Sequence, residues 1–70
     1  MLPHPLFGDG DRVVVTLLDG SRERGVIVSV MWIAGAYRCV IRLRDGRLSA
    51  PDWGVRYRSF ERARPLTRSA

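Results

Sequence analysis

The sequence predicts a small all-β domain, a barrel or sandwich of five short strands. Three observations carry that reading. Apolar residues recur with period two. Glycine-bearing turns at Asp19-Gly20, Ala34-Gly35 and Asp45-Gly46 separate the alternating stretches. No stretch of ten or more residues shows a helical 3.6 period, and short strands cut by Gly turns are the signature of a compact β domain.

The elements follow in order. Residues 1–9 contain Pro3, His4 and Pro5 and read as a flexible N-terminal arm from which Phe7 can dock. The barrel is expected over residues 10–67, with a tail at 68–70. The first strand starts after Asp11, with Val13, Val15 and Leu17 on one face and Val14, Thr16 and Leu18 on the other. Asp19-Gly20-Ser21 turns the chain, since Gly takes positive φ without steric cost. A second strand covers residues 23–32. Gly25, Ile27, Ser29 and Met31 share one face, and Val26, Val28, Val30 and Trp32 share the other. Gly25 inside this strand suggests a bulge or sharp bend. The third strand alternates most cleanly: Tyr37, Cys39, Ile41 and Leu43 inward, Arg38, Val40, Arg42 and Arg44 outward. Residues 47–54 are ambiguous, because Pro51 argues against a central strand there. Val55 and Tyr57 then point inward from a fourth alternating stretch. Ser59-Phe60-Glu61 is expected to form a short 3-10 turn before a last edge strand at residues 63–66, where Pro65 is tolerable.

Composition narrows the function classes. Twelve basic residues, all Arg, face seven acidic ones, giving a net charge of +5 with no Lys, Asn or Gln in the chain. One Cys excludes a disulfide framework and a multi-cysteine zinc site. No apolar run approaches the ~18 residues of a membrane-spanning helix, so no membrane partner is expected. The first residues lack a basic n-region and a long apolar stretch, so a cytoplasmic protein is expected rather than a secreted one. A 70-residue core without a disulfide or metal is marginal, and self-association or a partner surface is expected to support it.

Several pieces resemble the SH3-like small-barrel superfamily. They are Phe7-Gly8-Asp9-Gly10-Asp11-Arg12-Val13, Asp19-Gly20 with Arg24-Gly25, Tyr37, Asp45-Gly46 and Arg64-Pro65-Leu66. The layout is similar to Tudor domains and implies a five-stranded SH3-like barrel. An aromatic cage of the kind that binds methylated side chains in that family would draw on Trp32, Tyr37, Trp53 and Tyr57. The opening segment also looks like the plasmid-borne type II dihydrofolate reductases, through Phe7 to Val13, Gly25-Val26-Ile27-Val28 and Phe60-Glu61-Arg62. That resemblance implies a tetramer around a central pore. The family's Val-Gln-Ile-Tyr motif and pore lysines are absent; Val55-Arg56-Tyr57 stands in their place. Leu18-Asp19-Gly20 with Gly25 is similar to the first half of the Sm-like RNA-binding motif, without the Asp and Asn that follow its second strand.

The candidate site is cationic. Arg38, Arg42 and Arg44 share the outward face of the third strand, and Arg56 and Arg58 share a face of a later one. If those strands are neighbours, they form a guanidinium stripe suited to phosphates, because Arg donates in a planar fork. The other reading is a solvated charged face. Trp32, Tyr37, Trp53 and Tyr57 are the candidate aromatic anchors, able to stack bases or to pack as barrel lids. Bidentate reading of adenine uses Asn or Gln, so backbone or single-strand binding is expected over base-specific readout. Val14, Leu18, Val26, Val28 and Val30 would populate a second apolar face of the first two strands, where a homo-oligomer interface is expected. His4 has no partner in the arm, Cys39 reads as a small core residue, and the five Asp residues read as turn formers rather than a metal set. The expected function is therefore a non-catalytic binding module for nucleic acid, without metal or cofactor. The alternatives are a protein-interaction module meeting an acidic partner, a structural subunit of a larger assembly, and a type II dihydrofolate reductase-like enzyme.

Overall fold

Alternation drives the first strand, β1 (Arg12–Leu17), in which Val13, Val15 and Leu17 are buried. The Asp19-Gly20 turn returns the chain into β2 (Arg22–Ile33). Gly20 takes φ +90° and donates its N–H to the Leu17 carbonyl at 3.0 Å, while the Asp19 carboxylate accepts the Ser21 N–H at 2.9 Å. The Ser21 hydroxyl and N–H together hold the Asp19 carboxyl below its usual range. Residues 7–63 are described by the computed structural model, and within them β3 (Ala36–Leu43), β4 (Leu48–Ala50) and β5 (Val55–Arg62) complete the set. The strands close into a barrel in the order β1-β2-β3-β4-β5, with β5 pairing back onto β1. The predicted all-β class and five-stranded closure are both present, consistent with a small SH3-like barrel. No helix among the described residues is long and apolar enough to cross a membrane.

The turn after β3 repeats the first one. Gly46, at φ +93°, donates to the Leu43 carbonyl, and the Asp45 carboxylate accepts the Arg47 N–H at 3.0 Å. Between β2 and β3, Ala34 and Gly35 both have positive φ, the conformation a two-residue hairpin turn demands.

Two one-residue slips correct the expected faces. On β2 the register to β3 shifts between Ile27 and Ser29, leaving Val28 without a counterpart. The strand is therefore rephased: Val30, not Ser29 or Met31, packs against the core beyond that point, and Met31 is exposed. The bulge lies at Val28 and not at Gly25, whose pairing with Leu43 and Val13 is regular. Gly25 instead marks a close approach. A Cβ there would sit 2.5 Å from Ile41 Cγ2 and 2.8 Å from the Arg42 carbonyl oxygen.

On β5 the register to β1 shifts beside Arg58, between the Thr16–Ser59 and Leu17–Tyr57 pairs. Ser59, Phe60 and Glu61, expected as a 3-10 turn, continue β5. The extra residue supplies the bend that a turn would have supplied, and it lets both Tyr57 and Phe60 face the core. The ambiguous stretch 47–54 contains β4, three residues antiparallel to β3 and parallel to the start of β5. Gly54, at φ +65°, permits that tight connection, because a Cβ there would meet the Leu48 carbonyl oxygen at 2.6 Å. Of the expected edge strand at 63–66, Ala63 is buried and donates its N–H to the Arg12 carbonyl; residues 64–66, like the tail at 68–70 and arm residues 1–6, lie outside the described residues.

The core is Val13, Val15, Leu17, Ile27, Cys39, Ile41, Leu43 and Tyr57. Phe7 docks edge-on against Phe60, with centroids 4.9 Å apart, and Arg62 covers the Phe7 ring at 5.0 Å. Gly8 donates to the Asp11 carboxylate, and Gly10 and Asp11 bond to Ile27, so the lead-in to β1 is tied to β2.

Tyr57 is a core side chain whose titrating group meets a backbone partner. Its hydroxyl donates to the Cys39 carbonyl at 2.7 Å, and burial pushes its pKa up to about 12 from the ordinary 10. Below pH 10 both folded and unfolded chains keep this proton. Between pH 10 and about 12 only the unfolded chain loses it, so stability falls as pH rises through that window, by about 2–3 kcal/mol in total. Denaturant titrations at pH 9 and pH 12 should show this loss. Tyr57→Phe should be less stable at pH 9 by about 1–2 kcal/mol and lack that portion of the alkaline decline. An equal decline in the variant would assign it to other groups.

Candidate nucleic-acid interface

The sheet register decides which Arg residues meet. Arg12 on β1 pairs with Val26 on β2, and Val26 pairs with Arg42 on β3. One row of the outer surface thus reads Arg12–Val26–Arg42. In the neighbouring row Val14 pairs with Arg24, and Arg44, in the turn that follows β3, lines the same groove. These four exposed guanidinium side chains surround a groove of about 580 Å³ whose apolar lining includes Val26 and Val28. Two strand spacings separate Arg12 from Arg42, about 10 Å at the backbone.

The distribution of carboxylates makes this groove cationic. Arg38 pairs with Asp52 at 2.6 Å, Arg62 with Asp11 at 3.6 Å, and Arg22 with Glu61. Arg47 bridges Asp45 and Glu23. The Arg47 N–H, and then its guanidinium, hold the Asp45 carboxyl below its ordinary range. Five of the seven acidic side chains are thereby engaged away from the groove, and Asp19 is held by Ser21. Among the described residues, Arg12, Arg24, Arg42 and Arg44 have no carboxylate within ion-pair distance.

The predicted Arg set is divided by the topology. Arg42 and Arg44 join the groove. Arg38 is tied to Asp52 toward the tip of the β2–β3 hairpin, where it pairs with Met31. Arg56 and Arg58 stand on β5, which neighbours β4 and β1 but not β3, so they do not continue the β3 row. Arg12 and Arg24, which complete the groove, were not among the sequence candidates. Counting back from the Asp19-Gly20 turn places both opposite valines of the same outer face, a usable signal. Their alignment with Arg42 depends on the slip at Val28, which has no such signal.

The four aromatic candidates do not form a cage. Tyr57 is 7% exposed and belongs to the core. Trp32 and Tyr37 face each other across the hairpin, edge to face with centroids 4.7 Å apart. Trp53, on the β4–β5 connection, borders a small cleft with Met31, Ile33 and Val40. The exposed apolar residues Met31, Trp32, Ile33 and Trp53 gather at this hairpin end. The expected second apolar face is mixed: Val26 and Leu18 are exposed, Val14 and Val28 half-buried, and Val30 turned to the core. Cys39 is buried, which pushes its thiol pKa up and keeps it protonated. Among the described residues no cluster of three His, Cys, Asp or Glu side chains could hold a metal ion.

Fold and groove together define a small closed barrel with a cationic outer face. No protein-family model matches the chain, no curated protein matches it, and no solved structure matches it.

Proposed function

We propose that this chain is a non-catalytic binding module that holds nucleic acid through the groove of Arg12, Arg24, Arg42 and Arg44. One observation carries the reading: four guanidinium groups without a carboxylate partner among the described residues, set round an apolar-lined groove. Guanidinium forks match phosphate oxygens, and each phosphate neutralised releases condensed counterions. The absence of Asn and Gln from the chain favours backbone contact over reading of adenine edges. Binding rather than catalysis is supported by the commitment of Tyr57 and Cys39 to the core.

The test is a titration of a labelled polynucleotide at 50 and 200 mM salt, followed by fluorescence anisotropy. Four phosphate contacts predict an affinity loss of roughly 50- to 150-fold across that range. Arg42→Ala should flatten the logarithmic salt slope by about one. Salt-independent binding, or none with any polynucleotide at low salt, would sink the reading.

A second reading, a protein-interaction module or a subunit of a larger assembly, is favoured by the exposed Met31, Trp32, Ile33 and Trp53 at the hairpin end. A pull-down that returns one protein, survives nuclease treatment and is lost in Trp53→Ala would select it.

A further inference from the structure

Resting on the groove reading above, we propose that the nucleic acid held there is a duplex, gripped by its sugar–phosphate backbone without regard to sequence.

The Arg side chains form a two-dimensional array. Arg12, Arg24 and Arg42 stand on three adjacent strands, Arg12 about 10 Å from Arg42 across the sheet with Arg24 on the strand between, and Arg44 lines the same groove from the turn after β3. A duplex presents phosphates over a rigid surface, with one charge per ~1.7 Å of axis against ~3.4 Å for each strand alone. It arrives already ordered, whereas a flexible single strand must be immobilised on the same four contacts.

Single-strand binders offset that cost by stacking bases on aromatic rings beside the basic groove. Among the described residues, no aromatic side chain lines this groove. Phe7, Tyr57 and Phe60 pack on the core. Trp32 lies six residues along β2 from Val26, about 20 Å of extended strand, and its ring is set against Tyr37. Trp53 is on the connection beside Met31 and Ile33. The valines in the groove offer contact for sugar C–H surfaces and cannot hydrogen-bond a base edge.

The experiment compares the full chain binding a 20-base-pair DNA duplex, an RNA duplex of the same sequence, and each component single strand. Scrambled-sequence versions of all four are included. At least one duplex should bind ten-fold or more tighter than either single strand. Its logarithmic salt slope should be about −3.6, and scrambling should change its affinity less than two-fold. Trp32→Ala and Trp53→Ala should leave that affinity unchanged, and Arg24→Ala should flatten the slope by about one while far-ultraviolet circular dichroism reports an intact sheet. Single strands binding as tightly as both duplexes, or losing affinity in either Trp variant, would overturn the duplex assignment and leave the groove reading standing. Binding of neither form at low salt would overturn both.

Discussion

Gly25→Ala is expected to lower the thermal midpoint by roughly 5–20 °C. The added carbon would lie 2.5 Å from Ile41 Cγ2 and 2.8 Å from the Arg42 carbonyl oxygen. Ile41 is wholly buried and has little room to turn aside, and the carbonyl belongs to the β3 backbone. Relief therefore requires β2 and β3 to separate where Gly25 pairs with Leu43. Overpacking of this type costs about 1–3 kcal/mol, a large share of what a 70-residue domain possesses. Gly8→Ala is the matched control. Gly8 has no positive φ and nothing within 4 Å of an added Cβ, so its midpoint should barely move. Calorimetry of the two variants decides the point; equal midpoints would mean that the strands yield without cost.

Reversing two charges in the groove should have the largest effect on binding. In the double variant Arg24→Glu with Arg42→Glu, two of four phosphate contacts disappear and two carboxylates take their places. Affinity for a polynucleotide at 50 mM salt should drop on the order of 100-fold, and the salt slope should fall to half or less. Both side chains are exposed, and neither has an ion-pair partner among the described residues, so the fold should persist. The same double reversal at Arg56 and Arg58, on the far side of β4 from β3, provides the comparison. A loss as large there would move the interface to β5.

The local chemistry of this chain was legible where it depends on a few neighbouring residues. Val13, Val15 and Leu17 alternate inward, and the two Asp-Gly turns close as their side chains require. Cys39, Ile41 and Leu43 face the core as their spacing predicts. What escaped was set by tertiary closure. Nothing in Ile27-Val28-Ser29 distinguishes a slipped strand from a regular one; the slip exists because β2 must follow β1 and then β3 round a tight cylinder. Ser59-Phe60-Glu61 carries turn-like residues, yet β1 offers an unpaired edge that holds it extended. Val40, expected outward, is buried because β4 and the connection after it fold over that side of β3. The Arg residues of β3 and β5 do not stand on neighbouring strands for a topological reason: β4 intervenes, and three residues before a proline carry little signal of it.

The slip at Val28 also divides one long strand into two independently phased halves. Residues before it answer to β1, and residues after it answer only to β3. Removing Val28 would take out the unpaired residue and leave a regular ladder, with Ile27 opposite Ile41, Ser29 opposite Val40 and Val30 still toward the core, while Arg24 and Val26 kept their stations. The hairpin tip can therefore drift by insertion or deletion during evolution without disturbing the cationic surface, so the two ends of this molecule are free to acquire separate partners.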